Sequence, residues 1–185
     1  MPLVSVILRA MINKDEYLFV VDERNKPVEA KPREEVHRNE HWHRNSNVWI
    51  RNSKGQILCQ QRSLKKDSSP GKWEPFFGGH VLAGEGYEET AIKECNEELG
   101  LGVGKEDLFF INVHQIGHTR EFVAVFMMEW NGDADSITYE EDEINQLRWF
   151  EMDELRKMLL ESKDDDWTRS GFEEEIFDWL SKKNK

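Results

Sequence analysis

Glu94, Glu97 and Glu98 stand three and four residues apart in a stretch whose apolar residues recur at helical spacing. Residues at those intervals share one face of a helix, so three carboxylates converge there. Like charges so placed repel, and the helix is disfavoured unless something positive lies among them. A hard divalent cation meets that need: Mg²⁺ binds a few carboxylates and keeps waters and phosphate oxygens as its other ligands. The chemistry open to such an ion is polarisation of a phosphoryl oxygen and activation of a water. The plain alternative is a solvated acidic face, since 37 of the 185 residues are Asp or Glu and charge runs are usually solvated.

To present these carboxylates the chain needs a helix anchored on a core. Ala91, Ile92, Cys95 and Leu99 supply one apolar stripe, which predicts a helix over 88–99. Gly100 ends it, and Gly78-Gly79 ahead of it read as a bend. Upstream, 17–22 (YLFVVD) is a predicted strand, 23–27 a turn, and Pro32 opens a short helix, PREEVHR. Residues 47–51 (NVWIR) and 57–61 (ILCQQ) are strands joined by a hairpin signal, and 63–72 is a polar loop carrying Pro70-Gly71. Downstream, 107–116 and 121–130 form a strand pair, 131–142 an acidic loop, 147–150 a short strand, and 152–160 and 172–180 closing helices. Hairpin-linked strands interleaved with helices point to an α/β or α+β sandwich with a mixed sheet.

A chain of this length suits one domain, 1–185, with an extension over 1–15, a core over 16–150 and C-terminal helices over 151–185. Seven Trp and 38% hydrophobic residues fit a folded core. A net charge of −12 argues against non-specific binding of nucleic acid or an anionic membrane. The apolar start, MPLVSVILRAMI, is too short to span a membrane and contains Arg9; it reads as a strand or helix packed on the domain. Cys59 and Cys95 fall in apolar segments and read as buried, reduced thiols, which suggests a cytoplasmic protein.

The stretch GHVLAGEGYEETAIKECNEELGL resembles the Nudix box: Gly, five residues, Glu, seven residues, Arg-Glu, an aliphatic, any residue, Glu-Glu, any residue, Gly, an aliphatic. Here Gly79, Glu85, Lys93, Glu94, Cys95, Glu97, Glu98, Gly100 and Leu101 occupy those places. Lys93 replaces the arginine and lacks its planar fork; Cys95 replaces the aliphatic residue as a small hydrophobe. The resemblance implies a mixed sheet sandwiched between helices and a loop–helix–loop that holds Mg²⁺ or Mn²⁺ and hydrolyses a diphosphate. By residue, it implies Glu94, Glu97 and Glu98 as metal ligands, with the Gly79 carbonyl, and Glu85 as a supporting carboxylate oriented by Lys93. Candidates for the base are, in falling order, Glu97, Glu98, Glu121 and Glu143.

Residues 20–73, with Gln61-Arg62-Ser63, Lys66 and Pro70-Gly71-Lys72-Trp73, are similar to the branch of that superfamily related to isopentenyl-diphosphate isomerase. That resemblance implies phosphate contacts by Arg33, Arg62 and Lys66; surface charge is the alternative. It also implies that His37, His43 and His80 join acidic residues such as Glu121 around a second metal. Alternatively, His37 hydrogen-bonds at a helix end and His43 caps a strand, while His114 and His118 are strand and turn residues. The isomerases place a cysteine where this chain has Gly78, which favours hydrolysis. The expected activity is cleavage of a phosphoanhydride in a nucleoside diphosphate or nucleoside-diphosphate-linked compound. An isomerase of allylic diphosphates and a non-catalytic diphosphate-binding module are the alternatives. A small-molecule diphosphate is the expected partner, and a homodimer is compatible with the fold.

Overall fold

The structure, a computed structural model, describes residues 16–66, 68–162 and 165–183. The reading of residues 1–12 as a packed strand or helix falls outside these.

The chain opens with an antiparallel hairpin, β1 (Tyr17–Val21) and β2 (Pro27–Pro32). A short helix, α1 (Arg33–Arg38), follows, with Val36 buried against Leu18 and Val20. The central sheet takes β3 (His43–Arg51), β4 (Ile57–Arg62), β5 (Trp73–Glu74), β6 (Phe77–His80), β7 (Leu108–Ile116), β8 (Glu121–Glu129) and β9 (Ile144–Phe150). Its order is β5-β4-β3-β8-β7, with β6 added on β3 and β9 on β4. Only β3 and β8 run parallel, from His43 beside Glu121 to Arg51 beside Glu129; the other pairs are antiparallel.

Successive strand residues face opposite sides of a sheet, and both sides are covered here. Val48, Ile50, Phe77, Ala124, Phe126 and Met128 pack with Ala91, Cys95 and Leu99 of α2 (Tyr87–Leu99). Trp49, Val123, Val125 and Met127 pack on the other face with Leu155 and Leu159 of α3 (Met152–Leu160) and with Ile176, Phe177 and Leu180 of α4 (Glu173–Lys183). The mixed sheet between helices is thus present, and both cysteines are free and buried in these cores. Among the described residues, no helix is long and apolar enough to cross a membrane. Phe177 is 1% exposed and meets Trp49 edge-on at 5.9 Å. Phe177→Ala is therefore expected to cost about 3–5 kcal/mol in urea unfolding; a cost below about 1 kcal/mol would mean that α4 does not share this core.

Two local expectations need correction. Gly78-Gly79 is not a bend but part of β6, paired with Asn47 and Ser46. A Cβ on Gly78 would lie 1.9 Å from the Ser46 carbonyl oxygen, so only glycine lets the two backbones approach this closely. β3 also begins at His43 rather than at 47. Its first five residues, HRNSN, are polar, and an apolar pattern could not show them as strand. The helix carrying the glutamates ends at Gly100 as expected, with φ 63° there; its start is closed by Glu89, which accepts the Gly86 N–H at 2.9 Å.

Candidate active site

Glu94 and Glu98 stand together on α2, one turn apart, above β6. Gly79 makes the room: a Cβ there would lie 2.9 Å from Glu94 Cδ. Burial raises Glu94 to about 7; Lys93 opposes the rise, while Glu97, Glu16 and Glu85 add to it. Burial also pushes Glu98 well above the ordinary carboxylate range, aided by Glu94 and Glu143 and opposed by Lys66. Glu98 Oε2 is buried without a hydrogen-bond partner. A carboxylate oxygen in that position lacks a cation or donor. Glu97, by contrast, is exposed.

Lys93 reaches Glu85 despite lacking the arginine fork: Nζ lies 3.5 Å from Oε1, and the Thr90 hydroxyl donates to Oε2 at 3.0 Å. One long contact and one hydroxyl thus occupy the two Glu85 oxygens. On the far rim, the loop after β4 brings Lys66 into an ion pair with Glu143, which precedes β9. Arg62 is held differently. Its Nε and Nη2 donate to the Ser68 carbonyl at 3.0 and 2.9 Å, and Nη1 donates to buried Glu74 at 3.1 Å. That places its guanidinium in the loop's own framework. Arg33 lies 3.8 Å from Glu16 and is near enough to His37 and His80 to disfavour their protonation.

The histidines converge as a second group. His37 Nε2 and His80 Nε2 are 3.1 Å apart, and ligand atoms of His37, His43 and His80 all lie within 4.8 Å of one another. Glu121 Oε1 lies 3.6 Å from His43 Nε2 and 3.9 Å from His80 Nε2. His43 Nε2 is buried with no hydrogen bond shorter than its 3.6 Å contact to Glu121, while its Nδ1 is 2.9 Å from the His41 carbonyl oxygen. Burial, then the neighbouring His43 and Arg33 charges, lowers His80. Burial opposes the ionised form of Glu121, yet His43, Thr119 and Asn45 hold it low. Three converging imidazoles beside a carboxylate are a donor set for a metal such as Zn²⁺. His114, outside this group, stacks on Phe172 at 4.2 Å. By strand alternation His43, Asn45 and Glu121 share the face of Trp49, opposite α2. Gly79 and His80, consecutive in β6, therefore serve the glutamate and histidine groups on opposite faces.

Sequence reading missed Glu16, Asn45, Glu74 and Thr90. Asn45 donates to Glu121 at 3.1 Å from the polar start of β3, which an apolar pattern does not show as strand. Glu16, Glu74 and Thr90 carried no signal beyond their polarity.

The NUDIX domain model matches residues 41–171 of this chain. An uncharacterized Nudix hydrolase of Clostridium acetobutylicum is 29% identical over 155 residues, covering 79% of this chain and 75% of that protein. An isopentenyl-diphosphate Delta-isomerase of Photorhabdus laumondii is 26% identical over 154 residues, covering 81% and 85%. Against several other Nudix relatives the chain spans only 19–61% of their length. The crystal structure of DR0079 from Deinococcus radiodurans shares the fold at a TM-score of 0.70 and 24% identity, over 89% of this chain and 99% of that one. The chain belongs to the NUDIX domain family. Within it, the protein is an enzyme of the Nudix pyrophosphohydrolase type.

Proposed function

We propose that this protein hydrolyses a phosphoanhydride in a nucleoside diphosphate or nucleoside-diphosphate-linked compound, using Mg²⁺ or Mn²⁺. The observation that carries this reading is the buried, unpartnered Oε2 of Glu98 beside Glu94 and Glu143. Glu94, Glu98 and the Gly79 carbonyl would hold the ion, with Glu97 at the exposed edge. When bound, the ion polarises the phosphate oxygens and offsets the charge that develops on them. Glu85 positions the α2 face and is itself held by Lys93 and Thr90. Arg33 and Lys66 supply cations for the phosphates. Glu97 or Glu143 orients the attacking water and takes its proton, which then leaves with solvent. The water adds to phosphorus, the bridging P–O bond breaks, and two phosphate products depart.

The histidine group supports a second site in the same protein. His37, His43, His80 and Glu121 would bind a borderline metal such as Zn²⁺, an assignment favoured by the convergence of three imidazole ligand atoms within 4.8 Å and by the buried His43 Nε2, which makes no close hydrogen bond. An isomerase centre is disfavoured by Gly78, where a side chain meets the Ser46 carbonyl.

The test is a screen of purified protein with Mg²⁺ or Mn²⁺ across nucleoside di- and triphosphates, sugar nucleotides, dinucleoside polyphosphates and prenyl diphosphates. Metal-dependent release of phosphate or nucleotide is expected. Tight diphosphate binding without turnover would instead identify a binding module.

A further inference from the structure

The loop after β4 is fastened to the segment ahead of β9 at four points. Ser63 N donates to the Glu143 carbonyl at 2.9 Å and Ser63 Oγ to the Glu141 carbonyl at 2.9 Å. Lys65 Nζ meets Asp142 Oδ1 at 2.5 Å on the exposed rim, and Lys66 Nζ pairs with the Glu143 carboxylate. The fourth pairs Lys66 with Glu143, and both lie near enough to Glu98, whose Oε2 is buried, to act on its charge.

The nearby cations divide by partner. Arg62 is fixed on Ser68 and Glu74, and Lys93 lies against Glu85. Lys66 is the cation set against the carboxylates of Glu98 and Glu143. Its ammonium is a compact charge on a flexible stem, so it can change partners without moving the backbone.

We infer that Lys66 is the resident counter-ion of the glutamate centre, displaced from Glu143 when a divalent cation enters and thereby freed to meet a substrate phosphate. This rests on the metal-dependent reading above and adds to it that metal loading and substrate capture share one side chain. Two positive charges arriving beside Glu98 repel the ammonium and compete for Glu143. The released ammonium is then free to pair with a phosphate oxygen. No covalent step is involved; the exchange is of ion-pair partners.

Two measurements on the full chain test it. In the wild type, acylation of lysine amines by a succinimidyl ester is quantified by peptide mass spectrometry with and without saturating Mg²⁺. Lys66 is expected to become about three- to tenfold more reactive with Mg²⁺, while Lys72 and Lys105, paired with Asp165 and Glu88, stay constant. In parallel, Mn²⁺ binding without substrate is followed by the electron paramagnetic resonance signal of free ion. Lys66→Met should bind Mn²⁺ about three- to tenfold more tightly than wild type, and Lys66→Arg close to wild type. The binding lost in Glu98→Gln defines the share due to this centre. Unchanged Lys66 reactivity, or equal or weaker Mn²⁺ binding by Lys66→Met, overturns the counter-ion role while the metal centre stands. If Glu98→Gln loses no Mn²⁺ binding, the metal-dependent reading falls, and the counter-ion role with it.

Discussion

Glu98→Gln is expected to lower kcat/KM by about 10³-fold with any substrate the protein turns over. The substitution keeps the size of the side chain and removes one charge, so the loss reports on charge rather than packing. The same variant makes a second prediction possible on the folded state alone. With metal chelated, Glu98 leaves an unpartnered carboxylate oxygen buried beside Glu94 and Glu143. An amide there relieves part of that cost, so Glu98→Gln should be the more stable protein under chelation, by about 1 kcal/mol. Saturating Mg²⁺ should reverse the order. An ion at about a hundred times its Kd adds about 2.7 kcal/mol to whichever protein binds it, and the glutamine variant gains less. Thermal unfolding of both proteins, with chelator and with Mg²⁺, measures this crossing. A variant as active as wild type, or two melting curves that never change order, would remove the glutamate centre from the mechanism.

The second large effect concerns Gly78. Gly78→Cys restores the cysteine of the isomerases at its expected place in the chain. It should nevertheless destabilise the protein by about 3 kcal/mol or more and yield no proton exchange at carbon in isopentenyl diphosphate. The reason lies in the backbone. The new Cβ would sit 1.9 Å from the Ser46 carbonyl oxygen, and that oxygen belongs to a strand, not to a flexible side chain. Relief would require β3 and β6 to part. Gly78→Ala, carrying the same Cβ without the thiol, should destabilise about as much. A stable Gly78→Cys protein with isomerase turnover would show that β6 can shift, and would reopen the choice between the two chemistries.

The parts of this fold that repeat a period were readable from the chain. The α2 stripe of Ala91, Cys95 and Leu99 announces a helix, and the helix spacing alone brings Glu94 and Glu98 together. The hydrophobic runs of β8 announce a strand. What could not be read is whatever depends on chain segments meeting at a distance. The parallel pairing of β3 with β8 leaves no local mark, yet it brings His43 beside Glu121. The polar start of β3 looks like loop because its side chains make polar contacts, His43 and Asn45 with Glu121, Arg44 with Asn25 and Ser46 with the Tyr87 carbonyl. Arg62 and Lys66 looked equivalent as basic residues at a strand end and loop. Their difference, one tied into its own loop and one paired across to Glu143, follows from where Glu74 and Glu143 arrive.

β6 places Gly79 under Glu94 and turns the next residue, His80, toward His37 and His43. The two groups therefore keep step like the two sides of a single key blade. Inserting or deleting one residue within Phe77–His80 would present histidine to the glutamates and glycine to the imidazoles, so both groups would fail together. Lengthening the turn at 53–55, at the opposite end of β3 from His43, carries no such penalty. Across variants of this chain, length changes should accumulate in that turn and be absent from the four residues of β6, even in lineages that have given up one of the two sites.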